Sequence, residues 1–280
     1  MRAHSLMLIA VVAALAGGCT EEDLSDASFV SGLRILGAQA EPPEAMPGDT
    51  VKLTAWVVDT KGGNIDVTWS ACMLPSNGLA NAGCTDGSGN GLVALGSGAT
   101  SSFVVPPLDA DTLGPTDATA GVYLPIVIHA SAPDASADAI YRLRIRISAP
   151  PGCTLLPPYD PGCAPNHNPS IDRIDPLLDE GTPNVTHEGI SWAMIARYSA
   201  DSAEEYEIPS TTQPIVFDRL TTQWFATAGT FPNQPVGGTA VQKLTMDRAL
   251  PPSGGTIDLW VVGHDDRGGT TMAHRIFILQ

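Results

Sequence analysis

The sequence predicts an all-β protein built as two consecutive β-sandwiches, on three observations. Apolar residues recur with a period of two rather than the 3.6 of a helix. The segments so marked lie about ten residues apart, punctuated by Pro and Gly. A Pro- and Cys-rich stretch at 149–169 divides the 280 residues into two halves, each of ordinary domain size. The composition agrees: 28 Gly and 24 Pro supply turns, and with only 16% charged residues the chain is neither a disordered polyelectrolyte nor a coiled coil.

The N-terminus precedes the fold. Met1-Arg2-Ala3-His4 is followed by the apolar run LMLIAVVAALA (6–16) and then by Gly17-Gly18-Cys19. At ~1.5 Å per residue such a helix spans about half of a ~30 Å hydrocarbon core, too little for a lasting transmembrane span, so the run reads as the h-region of a cleaved secretory signal. Leu15-Ala16-Gly17-Gly18-Cys19, followed by the polar Thr20-Glu21-Glu22-Asp23, resembles the lipobox of bacterial lipoproteins. The resemblance implies that residues 1–18 are removed, that Cys19 is lipidated on its thiol and acylated on its new amine, and that the mature chain sits on a lipid bilayer through acylated Cys19. It also implies the outer membrane of a two-membrane bacterium, because Thr20 and not Asp follows the cysteine. Two or more acyl chains, at ~0.8 kcal/mol per buried CH₂, hold a protein in effect permanently. Residues 19–30, with Glu21, Glu22, Asp23 and Asp26 and no apolar period, read as a tether. About ten residues reach at most roughly 35 Å, enough to keep a domain clear of the headgroups.

The first sandwich is expected over 31–148. Its clearest strands are VKLTAWVV (51–58), with Val51, Leu53, Ala55 and Val57 on one face, and YRLRIRI (141–147), with Tyr141, Leu143, Ile145 and Ile147 facing the core. Further strands are expected at 33–38, 65–72, 102–105 and 122–130. In the second sandwich, over 170–280, strands are expected at 171–174, 189–198, 215–220, 223–228, 241–246, 257–262 and 272–279. Residues 201–207 read as a turn or one helical turn. The 149–169 segment is too dense in Pro and Gly for a sheet interior and reads as a linker.

A weak internal repeat supports two copies of one domain type. Leu33-Arg-Ile-Leu36 matches Ile171-Asp-Arg-Ile174, 51–57 matches 190–196, and Thr68-Trp69-Ser-Ala71 matches Gln223-Trp224-Phe-Ala226. The succession of early strand, Pro-rich turn, alternating strand, Trp-bearing strand and closing strand pair resembles the immunoglobulin-like domains of bacterial surface proteins. Trp69 and Trp224 would then be the buried tryptophans of that fold, without its inter-sheet cysteine pair. The resemblance supports the fold and implies no activity.

Apart from Cys19 the chain carries Cys72, Cys84, Cys153 and Cys163, an even number in an exported protein. Each consecutive pair brackets a turn-rich loop, so Cys72–Cys84 and Cys153–Cys163 are expected, each ring removing about 3 kcal/mol of unfolded-chain entropy. A zinc site is the competing reading, but the spacings are not those of C-x₂₋₄-C pairs.

Candidate chemistry is sparse. Thirty acidic against 14 basic residues, net −16, argue against nucleic acid as a partner. No G-x-S-x-G motif occurs, Gly96-Ser97-Gly98 reads as loop, and Asp86-Gly-Ser-Gly-Asn-Gly91 lacks the Lys-Ser/Thr of a phosphate loop. His264, Asp266 and His274 could be drawn together as a metal or acid–base site, but His264-Asp265-Asp266-Arg267-Gly268-Gly269 reads first as a polar hairpin turn in which Asp accepts backbone N–H bonds. Asp172, Asp175, Asp179 and Glu180 come nearest to a calcium site, without a D-x-D-x-D-G loop. Arg142, Arg144 and Arg146 alternate along one strand as the only basic stripe, open to an anionic glycan or lipid headgroup, or else a solvated face paired with carboxylates. Trp56, Tyr159 and Trp260 are expected to be exposed, and Trp69, Trp192 and Trp224 to lie in the core. No cofactor, no metal and no enzymatic turnover are expected. The reading is of an envelope lipoprotein serving as a structural or binding module, with an envelope protein or glycan as partner. The alternatives are a carbohydrate- or protein-binding adhesin, or a hydrolase whose site one sequence does not reveal.

Overall fold

The computed structural model describes residues 27–73, 91–108, 117, 119, 121–149, 152–154, 157–160, 163–176, 191–208, 215–232, 234–246 and 255–278. The named elements among the described residues are all strands. The first sandwich comprises β1 (Leu33–Glu41), β2 (Glu44–Ala45), β3 (Thr50–Asp59), β4 (Asp66–Cys72), β5 (Leu92–Ser97), β6 (Thr100–Val104), β7 (Gly121–Ala132) and β8 (Ala135–Arg146). They form a three-stranded sheet in the order β1-β3-β6 and a five-stranded sheet in the order β2-β8-β7-β4-β5. All ladders are antiparallel except β2 on β8, where Glu44 and Ala45 run parallel to Arg144 and Ile145. The alternation in β3 is realised: Val51, Leu53 and Ala55 are buried against Trp69 of β4, Ile126 of β7, and Leu143 and Ile145 of β8.

The second sandwich comprises β9 (Ile171–Pro176), β10 (Ser191–Tyr198), β13 (Thr221–Ala226), β14 (Val236–Gly237), β15 (Gln242–Thr245), β16 (Thr256–His264) and β17 (Thr270–Ile278), with a small hairpin of β11 (Glu205–Glu207) and β12 (Ile215–Phe217) inserted after β10. Its sheets run β15-β10-β9 and β14-β13-β16-β17. The two sandwiches therefore share one plan, in which β1, β3 and β6 correspond to β9, β10 and β15, and β5, β4, β7 and β8 to β14, β13, β16 and β17. This is the A-B-E against C′-C-F-G division of immunoglobulin-like sandwiches. The described residues of every segment pair matched in the sequence fall on corresponding strands. Trp69 and Trp224 are both fully buried, and Trp192 packs in the second core.

Three local expectations are corrected. Gly96-Ser97, read as loop, lies in edge strand β5, where a bulge opposite Trp69 and Ser70 accommodates the glycine at φ 139°. Residues 205–207, read as part of a turn, form β11. Residues 28–30, read as the end of a tether, lie along β13: Val30 N donates to Ala226 O at 2.9 Å, Ser28 Oγ accepts from Phe231 N at 2.8 Å, and Ser28 and Val30 are buried. The apolar Phe29-Val30 pair ends the polar run, which is why the chain adheres there.

The sandwiches are not separate beads. A third apolar cluster joins Val30, Leu36, Phe225, Trp260 and Val262, with Trp56, Val58 and Met272 at its margin. It forms where the outer face of β1 and β3 meets that of β13, β16 and β17. A bulge in β1 between Ile35 and Gly37 turns Leu36 outward while Ile35 stays with the first core. Gly37 permits the close approach, since a Cβ there would lie 3.1 Å from Val262 Cγ1 and 3.3 Å from Trp56 Cε3. Trp56 and Trp260, expected on the surface, are thus part of the joint. Their strands alternate as half-buried strands do, but the second face is covered by the other sandwich.

Candidate functional site

Beside the apolar joint lies a buried polar one, built from β8, the end of the linker and the β16–β17 turn. Arg144 occupies its centre at 1% exposure. It pairs with Glu44 Oε1 at 2.6 Å and with Asp117 at 3.1 and 3.2 Å, and also bonds Thr119. Gly121 leaves room for it, because a Cβ at that position would lie 2.3 Å from Arg144 Nε. Burial pushes the Asp117 carboxyl up, but the hydrogen bond and charge of Arg144 and the amides of Gly121 and Thr119 outweigh it and hold the group down at about 2.

From Glu44 the network crosses the linker. Glu44 Oε2 accepts from Asn166 N at 2.8 Å, and Asn166 Nδ2 donates to Asp265 Oδ2 at 3.0 Å. Asp265 Oδ1 accepts from Arg267 N at 2.9 Å and Gly269 N at 2.7 Å, so the turn is the carboxylate-capped hairpin read from sequence. Burial, with repulsion from Asp218, raises Asp265 to about 6 against the bonds it accepts. Asn168 repeats the bridge, donating to Ala40 O at 2.7 Å and Glu41 Oε2 at 2.9 Å and accepting from Thr270 N at 2.8 Å. Gln39 Nε2 donates to Thr270 O at 2.6 Å, and Tyr141 OH to Gly268 O at 3.0 Å. Within the second sandwich Arg267 makes a two-pronged pair with Asp218 at 2.7 and 2.8 Å, reaches Glu204 at 3.0 Å, and lies over the Tyr206 ring. Buried ion pairs give little net stability, because desolvation offsets the Coulomb attraction, yet losing one partner is costly. A misdocked joint would strand Glu44 and Asp265 away from Asn166, so the network selects one orientation.

The basic stripe is corrected accordingly. Arg142 is exposed over the Tyr123 ring, but Arg144 and Arg146 are buried, Arg146 donating to Cys163 O at 2.9 Å. They serve internal carboxylates and carbonyls rather than an external anion. His264 and His274 are not brought together: in the β16–β17 ladder His264 pairs with Thr270 and His274 with Trp260. His274 stacks on Trp260 and bonds Asp258 at 2.8 Å, while burial pushes His264 down. Asp266 accepts from Tyr206 OH and Arg219 N instead. Of the calcium candidates, Asp172 is exposed and Asp175 is held by Arg173 at 2.8 Å and Arg197 at 3.4 Å; Asp179 and Glu180 lie outside the described residues. Among the described residues no cluster of three metal-ligating side chains occurs, and no helix is long and apolar enough to cross a membrane. Cys153 and Cys163 are joined, Cα atoms 5.5 Å apart. Cys72 is disulfide-bonded, and Cys84 and Cys19 lie outside the described residues.

Sequence reasoning missed Glu44, Asn166, Asn168 and Asp218. The available signal was two asparagines held between Pro165 and Pro169, where a mere spacer needs no amides.

No family model matches the chain, and no curated protein matches it in sequence. Matching solved structures include the N-terminal eight Ig domains of Down Syndrome Cell Adhesion Molecule isoform 1.30.30, at 12% identity and a TM-score of 0.25, over 90% of this chain and 25% of that one. Three N-terminal domains of the bacteriophage RB49 Highly Immunogenic Outer Capsid protein match at 10% identity and 0.20, over 89% and 59%. Dimeric latent PorU from Porphyromonas gingivalis matches at 13% identity and 0.25, over 90% and 24%. The chain thus spans between 24% and 59% of these chains. At such scores the superpositions carry no argument, and the assignment to immunoglobulin-like β-sandwiches rests on strand order and on the two cores.

Proposed function

We propose that the chain is a cell-envelope lipoprotein, held on the outer membrane through acylated Cys19, whose two sandwiches work together as one rigid, non-catalytic structural or binding module. The observation that carries the module is the shared apolar cluster of Val30, Leu36, Phe225, Trp260 and Val262, flanked by the asparagine bridges. A pair of independent domains would leave these side chains wet. The lipobox resemblance at Leu15-Ala16-Gly17-Gly18-Cys19 supports the anchor. Cys19→Ser tests it: the wild-type protein is expected in the outer-membrane fraction after density separation, and the variant in the soluble periplasmic fraction. A variant that stays on the membrane contradicts the anchor, and wild-type protein at inner-membrane density contradicts the address.

A protein-binding adhesin is the second reading. It is favoured by Ile276 and Ile278, 53% and 68% exposed on the outer face of β17, an edge strand. Trp260 is buried in the joint and Trp56 is packed at its margin, which takes up two of the aromatic side chains that a glycan platform would use and favours a protein over a sugar.

A further inference from the structure

The open side of the seam between the sandwiches holds a cleft of about 350 Å³, walled by Arg34 and Leu36 of β1, Gln223 and Phe225 of β13, and Phe231. Ligand pockets concentrate at domain seams, and this volume is within their usual range of roughly 300–1,000 Å³. Arg34 is half-buried over the Phe225 ring, its guanidinium carbon 5.0 Å from the centroid. NH1 donates to Phe29 O at 3.0 Å and NH2 to Ala27 O, which fixes the head group. A guanidinium carries five N–H donors, and the bonds among the described residues take up two of them.

No carboxylate among the described residues pairs with Arg34, whereas Arg144 and Arg267 each meet two. A half-buried cation with no acid partner among the described residues is unexpected in a chain of net charge −16. Beside it the Gln223 side-chain amide has no partner among the described residues. Phe225 and Phe231 border the cleft but are themselves 6% and 1% exposed, so its wall is part polar and part apolar. The Gln234 amide is committed, bonding both N and O of Trp224.

We propose that this cleft binds a small organic carboxylate bearing an aromatic or branched apolar group, with the carboxylate on Arg34, the Gln223 amide beside it, and the apolar group along the apolar part of the wall. The planar guanidinium fork matches a carboxylate in two parallel hydrogen bonds. A monoanion is neutralised by one arginine, while a phosphate dianion would add uncompensated charge to an already acidic protein. Free acids and the C-termini of peptides share this chemistry. The site belongs to the seam alone and does not depend on lipidation.

Calorimetric titration of the full chain with N-acetylphenylalanine, its amide, a peptide ending in a free Phe carboxylate, and inorganic phosphate tests the proposal. The acid is expected to bind, and the amide and phosphate at least tenfold more weakly. Binding of the peptide as well assigns peptide C-termini, and binding of the acid alone assigns free acids. Arg34→Gln removes the charge and is expected to weaken the acid at least tenfold. Should that variant fail to fold, Arg34→Lys keeps the charge without the fork, and Gln223→Ala leaves β1 untouched; both are expected to weaken the acid severalfold. No binding of the acid, equal binding of acid and amide, phosphate binding as tight, or undiminished binding by a folded Arg34→Gln overturns the proposal.

Discussion

The indole N–H of Trp69 donates to Gly98 O at 2.8 Å, while that of Trp224, buried as completely on the corresponding strand, has no hydrogen-bond partner among the described residues. Trp→Phe at either site leaves a cavity, but only at Trp69 does it also break a hydrogen bond and strand a carbonyl. Trp69→Phe is therefore expected to cost about 1 kcal/mol more than Trp224→Phe, measured by chemical denaturation. Both tryptophans were legible in the sequence because each sits on an inward-facing position of an alternating strand. Arg144 was not. Alternation assigns a side chain to one face of its own strand, and nothing in 141–147 says that the arginine face is covered by a turn more than a hundred residues away. Arg34 escaped notice for the same reason, since its surroundings come from β13.

At the scale of elements, the β16–β17 turn does two jobs. It closes the hairpin, with Asp265 capping the amides of Arg267 and Gly269, and it docks on the first sandwich through Gly268, Thr270 and the linker asparagines. Gly269 is required by space: a Cβ there would lie 2.1 Å from Asp265 Oδ2 and 2.9 Å from His167 O. Gly269→Ala is expected to cost about 1–3 kcal/mol and to split thermal unfolding into two transitions, as the turn withdraws from the linker. A single transition at the wild-type midpoint would show that the turn is not a docking element. The turn itself was readable from Asp-Asp-Arg-Gly-Gly, and so were most strands, because period two and Pro/Gly punctuation are local signals. β5 was missed because Gly96 and Gly98 imitate a loop, and residues 205–207 because three residues carry no period.

Across the whole molecule, two carboxyls respond to pH in opposite senses, so that the joint weakens toward both acid and base. The folded pKa of Asp117, held at about 2, is below its unfolded value, so its contribution is present above about pH 4 and lost as the pH falls toward 2. That of Asp265, raised to about 6, is above its unfolded value, so its contribution is complete below about pH 4 and lost as the pH rises through 6. Asp265→Asn removes the second effect. It also places an amide opposite Asn166, whose Oδ1 has no hydrogen-bond partner among the described residues and can accept once the side chain turns over. Thermal midpoints from pH 4 to 8 are expected to move in favour of Asp265→Asn relative to wild type as the pH rises through 6, and a constant gap would contradict the burial of that carboxylate.

The fixed relation of the two sandwiches is tested most directly by residual dipolar couplings of backbone amides in a weakly aligning medium. One alignment tensor fitted to β1–β8 should reproduce the couplings of β9–β17. Two tensors of different magnitude would mean that the sandwiches move independently and that the joint does not hold.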